Sequence, residues 1–211
     1  MKKAFSTLGC PTWSFNEIVS VAKDIGMNGI EIRGLGYQMY APALSIFSER
    51  NIDKTISVLK RTGIEIPMLT TSCDLSVSDF ENCLNEANDY INLAKKIGTP
   101  YIRIMCQNSA KPGKDIDIDL IAKRYKEICN IAKDTTVTPL IETNSHLANS
   151  DKMLEFLAKA DCENMGVLWD FHHPYRFFNE SIEYTFNNLS KYIKYVHFKD
   201  SVMKDDGKVE Y

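Results

Sequence analysis

Met165-Gly166-Val167-Leu168-Trp169-Asp170-Phe171-His172-His173-Pro174 is an apolar run closing on a carboxylate, with an imidazole at His173 just beyond it. Alternation along a strand puts Leu168 and Asp170 on one face and Trp169 on the other, so Asp170 is the last inward residue before the chain turns away. The same pattern recurs on either side. Val137-Thr138-Pro139-Leu140-Ile141-Glu142 is an apolar strand ending in a carboxylate, and Tyr192-Ile193-Lys194-Tyr195-Val196-His197 ends in an imidazole. Glu142, Asp170 and His197 fall at near-equal intervals, as three neighbouring parallel strands would place them if their ends faced one point.

Working outward, the rest of the chain repeats strand then helix. Strands are expected over 4–8, 29–33, 64–69, 101–105, 137–142, 166–170 and 194–198. Helices are expected over 15–25 behind an N-cap at Ser14, 49–61 before Gly63, about 80–94 behind a Ser78/Glu81 capping box, 121–132, 151–160 and 181–190. Strict alternation of this kind requires a parallel sheet with right-handed crossovers, and seven units without a break favour closure. The expected fold is α/β, a (β/α)8 TIM-type barrel forming a single domain over 1–211. Such barrels typically take about 250 residues, so seven βα units are visible and the eighth is expected to be missing, the domain being truncated after the seventh strand.

The bulk composition fits one well-buried domain: 211 residues, 44% hydrophobic. A net charge of -3 gives no basic excess, which argues against nucleic acid and against an anionic membrane surface. The six cysteines lack CxxC spacing and read as reduced thiols. Lys2 and Lys3 are followed by no continuous apolar segment, and no run approaches a membrane span. The chain therefore reads as soluble and cytoplasmic.

In barrels, functional groups sit at the C-terminal ends of strands, where Glu142, Asp170 and His197 are expected. Buried carboxylates need partners, and one metal ion could satisfy all three residues at once. Two carboxylates and an imidazole suit Mn, Mg, Co or Zn.

Leu140-Ile141-Glu142-Thr143-Asn144, the Asp170/His173 pair and Tyr195-Val196-His197-Phe198-Lys199-Asp200 resemble the xylose isomerase-like barrel superfamily, in its sugar isomerase and epimerase branch. The resemblance spans the whole chain. It implies a single divalent ion held by Glu142, Asp170 and His197, with a fourth ligand, a glutamate after strand eight, that has no counterpart here; Glu210 lies too close to strand seven to replace it. It also implies a sugar or sugar-phosphate isomerase or epimerase that abstracts a proton beside a carbonyl through a metal-stabilised enediolate. Glu142 would then be both ligand and acid/base group, and His173 would contact substrate.

His146 and Lys199 are further candidates for substrate contact, and Trp13 for stacking on a sugar face. Asp200 is a candidate to orient a ligand histidine, and Glu31 and Arg103, charged residues within strands, are expected to pair with each other. Asp115-Ile116-Asp117-Ile118-Asp119 lacks the glycine and glutamate of a calcium loop and reads as a helix start. Two other functions compete. One is a non-catalytic sugar-binding or interaction barrel, in which exposed strand edges would favour a homo-oligomer. The other is an endonuclease IV-like nuclease, weakened by Thr71-Ser72-Cys73 and Cys106-Gln107-Asn108 where histidine ligands would be needed.

Overall fold

Seven parallel strands follow one another around an arc in sequence order, as the alternation predicts. The structure is a computed structural model that describes residues 1–204 and 209–210. β1 (Ala4–Ser6) pairs with β2 (Gly29–Glu31), and single bridges, Gly29 to Glu65 and Ile32 to Leu69, join β2 to the next strand. That strand, β3 (Met68–Asp74), opens a continuous ladder with β4 (Tyr101–Met105), β5 (Thr138–Glu142), β6 (Gly166–Asp170) and β7 (Ile193–His197). After β7 comes a short antiparallel hairpin, β8 (Val202–Met203) with β9 (Val209–Glu210), so the described residues hold no eighth parallel strand. Glu210 reaches Lys204 at 3.0 Å.

The helices start where side chains can cap them. In α1 (Phe15–Asp24), Ser14 accepts from the Glu17 amide while Glu17 takes the Ser14 amide, and Phe15, Ile18, Val19 and Ala22 are buried. Gly63 and Gly98 end α2 (Ile52–Thr62) and α3 (Phe80–Ile97) in the left-handed conformation that glycine adopts without strain. The acidic run opens α4 (Ile118–Ala132), with Asp117 as N-cap. Next come α5 (Ser150–Ala160), α6 (His172–Phe178) and α7 (Ile182–Leu189).

Four local expectations are corrected. The first strand stops at Ser6 because Ser6 accepts from the Leu8 amide and turns Thr7–Gly9 into a 3-10 helix. The third strand begins at Met68, beyond Pro67, and runs on to Asp74. Asp79, not Ser78, caps α3, accepting from the Asn82 amide at 3.3 Å. Helix α6 was not expected at all, since His172-His173-Pro174-Tyr175 carries no helical periodicity.

Most of the core lies between strands and helices, where Tyr90, Tyr125 and Phe156 are fully buried. Inside the arc, Met68, Leu140 and Leu168, with Tyr101 and Tyr195, form a separate small apolar cluster. Among the described residues no helix is long and apolar enough to cross a membrane.

Candidate functional site

Three adjacent strand ends deliver the central residues. Asp170 and His197 are register partners across β6 and β7, and Glu142 closes β5 beside them. One ligand atom from each of Glu142, Asp170 and His197 lies within 4.8 Å of the others. Asp170 is fully buried, Glu142 is nearly so, and His197 is partly exposed. Asp170 Oδ2 accepts no well-formed hydrogen bond, although Lys199 Nζ is 2.7 Å away and His173 Nε2 3.6 Å. Lys199 thus already sets a positive charge against this oxygen, and two buried carboxylates with an imidazole beside them are a donor set that fits a divalent cation of the Mn, Mg, Co or Zn class. Asp170, His172 and His173 also lie close enough to hold an ion, so both such groups among the described residues include Asp170, and neither draws on β3 or β4.

Glu31 and Arg103 do not form an ion pair with each other. Glu31 Oε2 meets His197 Nε2 at 2.9 Å and Glu31 Oε1 accepts from Thr70 Oγ1 at 2.9 Å. Arg103 NH1 donates to Glu142 Oε2 at 3.2 Å, and its NH2 to the Thr71 carbonyl at 2.9 Å. Each charge is instead paired with one of the three candidate ligands. Glu31 is thus a site residue that strand reading alone missed, and its signal was a carboxylate buried between Ile30 and Ile32. It does for His197 what was expected of Asp200, which is exposed and accepts from the Ser201 amide.

The electrostatics follow from these contacts. Burial pushes the Glu142 carboxyl up, but Arg103 and His197 outweigh it and hold the group well below the usual carboxylate range. Burial also disfavours charge on His197, yet Glu31 and Glu142 on its two nitrogens raise it to about 10. His173 is lowered, chiefly by burial, with Lys199 adding to it and Asp170 opposing.

His173 is held by the turn it begins. Its Nδ1 lies 2.9 Å from the Thr143 carbonyl, which can only accept, so Nδ1 carries the proton and Nε2 presents a lone pair, 2.7 Å from Lys199 Nζ. Thr143 in turn exchanges hydrogen bonds with the Asp170 backbone, locking β5 to β6 at the site. His172 meets Ser201 Oγ through Nε2 at 2.6 Å.

The other expected contacts lie apart. His146 is buried in the 3-10 turn Ser145–Ala148, with Nε2 2.8 Å from the Lys114 carbonyl, and so fastens a loop. Trp13 lines a cavity of about 580 Å³ between the start of α1 and α2, which none of the three candidate ligands borders.

A model of the xylose isomerase-like TIM barrel family matches residues 19–210. No match was found among curated proteins. Among solved structures, the probable 3-DHS dehydratase AsbF involved in petrobactin synthesis from Bacillus anthracis is 26% identical, with a TM-score of 0.80 over 95% of this chain and 74% of that one. The 3-keto-D-glucoside 4-epimerase YcjR from E. coli is 16% identical, with a TM-score of 0.72 over 95% of this chain and 79% of that one. A xylose isomerase-like TIM barrel protein from Mycobacterium smegmatis, in complex with magnesium, is 16% identical, with a TM-score of 0.75 over 95% and 75%.

Proposed function

The chain belongs to the xylose isomerase-like TIM barrel family, and from that premise we propose a divalent-metal-dependent isomerase or epimerase. It removes a proton from the carbon beside a carbonyl in a sugar or sugar phosphate. The observation that carries this reading is the convergence of Glu142, Asp170 and His197 with His173 and Lys199 at one end of the barrel.

Glu142, Asp170 and His197 would hold the ion. When bound, the ion supplies Lewis acidity at the carbonyl oxygen. Neutral His173, oriented by the Thr143 carbonyl, is the group poised to take the proton through Nε2. Glu142, which meets Arg103 and His197, is assigned to ion binding, with the acid/base role expected of it exercised from that position. Lys199 Nζ lies where it can donate to a substrate oxygen that gains charge.

The test is solvent exchange. Protein supplied with Mn, Mg, Co or Zn in heavy water, with ketoses and their phosphates, should place deuterium on the carbon next to the carbonyl. His173→Asn should slow that exchange by roughly 10²- to 10⁴-fold while metal content stays the same. Absence of exchange with every substrate and ion would leave a barrel that binds without catalysing.

One observation favours a second reading, dehydration: the 26%-identical structure is that of a probable 3-DHS dehydratase. Elimination shares the first step and differs in the second, because a neighbouring hydroxyl leaves before the proton returns. Loss of water from a hydroxyketone, in place of a deuterated epimer, would establish it.

A further inference from the structure

We propose that Cys73 and Cys83 form a dithiol site that hydrogen peroxide oxidises reversibly to a disulfide. Cys73 lies near the end of β3 and Cys83 in the first turn of α3, and both border one open cavity of about 500 Å³, which gives a small oxidant access to two otherwise buried thiols. The Cys73 thiol donates to the Cys83 carbonyl oxygen at 3.5 Å, which sets the two residues side by side. Both are free in this structure.

The two sulfurs are not equivalent. Cys83 is the more exposed of the two, 6% against 1%, and its thiol is lowered by its neighbour Cys73 against the opposing effect of burial. Cys73 is pushed up, by its neighbour Cys83 and by burial. Cys83 is therefore the attacking thiolate. It displaces hydroxide from peroxide, breaking the O–O bond and forming a sulfenic acid. The Cys73 sulfur then attacks the Cys83 sulfur, the S–O bond breaks and water leaves. Overall two thiols and one peroxide give one disulfide and two waters, each sulfur losing one electron. Closing the bond draws the sulfurs to about 2.05 Å and pulls the first turn of α3 onto the end of β3.

Trypsin tests this directly, because residues 62–95 contain no internal Lys or Arg before Lys95, so one peptide carries both cysteines. The folded chain is treated with peroxide, blocked with N-ethylmaleimide, digested and weighed. The expected peptide lacks two hydrogens, carries no maleimide and takes up two after dithiothreitol. In Cys73→Ser the reaction should stop at a Cys83 sulfenic acid that dimedone captures. Recovery of peptide 62–95 with both thiols blocked, at peroxide levels that oxidise exposed Met39, would overturn the proposal, as would a link from either cysteine to Cys129 or Cys162.

Discussion

His197 is gripped from both sides, by Glu31 at Nε2 and by Glu142 at Nδ1, and this fixes the plane of a ring that would otherwise rotate at a partly exposed strand end. A carboxylate on the far nitrogen of a ligand histidine orients the ring and raises its basicity, and losing such a partner typically costs about 10- to 100-fold in metal affinity. Glu31→Gln should therefore weaken manganese binding by that order, with secondary structure unchanged, as titration calorimetry would measure. Unaltered affinity would show that Glu31 serves only the barrel's internal charge balance. Sequence alone identified Glu31 and Arg103 as charges in need of partners, because both lie in strands among apolar neighbours. It did not identify the partners. That choice depends on which residues from β3, β5 and β7 reach the same height inside the arc, and strand alternation fixes the facing of a residue but not its height.

At the scale of elements, alternation and capping located most strands and helices, since each buries one apolar face and begins or ends at a residue with a local reason to be there. They failed where local chemistry is silent or ambiguous. Helix α6 opens with two histidines and a proline and is held by the Thr143 carbonyl and Ser201 rather than by an apolar face. The start of β3 moved because Ile64 and Ile66 are buried like strand residues while regular pairing begins only at Met68. This β2 to β3 approach is tight: the Ile30 amide donates to the Glu65 carbonyl at 2.9 Å, and a Cβ on Gly29 would lie 2.9 Å from that same oxygen and 3.0 Å from Pro67 Cδ. Neither backbone nor proline ring can swing aside as a flexible side chain could. Gly29→Ala should then destabilise the protein by about 1–3 kcal/mol, seen as a lower urea midpoint at constant slope. A midpoint unchanged from wild type would mean that the two strands separate at little cost. Tyr125→Phe probes the opposite wall, where the buried hydroxyl donates to the Pro139 carbonyl at 2.7 Å; its loss should cost about 1 kcal/mol.

Across the whole molecule, stability should grade along the arc. β5 is buried except at its first residue, β6 is buried throughout, and each has a ladder partner on both sides; β1 and β7 have one partner each among the described residues and are only half-covered. The β7 side also leaves Val196, Phe198 and Phe186 exposed, although Phe198 meets Phe171 edge to face and Phe186 lies tilted against Trp169. Alternation could assign those residues a face but not a cover. Amide exchange proceeds through local openings whose cost rises with buried contact. The Ile141, Val167 and Leu168 amides should consequently exchange slowest, near the rate of global unfolding, and those of Phe5 and Tyr195 faster. The candidate site spans this gradient, with Glu142 and Asp170 on the firm strands and His197 on the looser one. An ion binding all three should transfer protection to β7, so manganese should slow exchange at Tyr195 and Val196 more than at Ile141. Equal protection along the arc before metal is added would show that the edges are as firmly held as the centre. Protection of β7 unchanged by manganese would remove His197 from the ligand set.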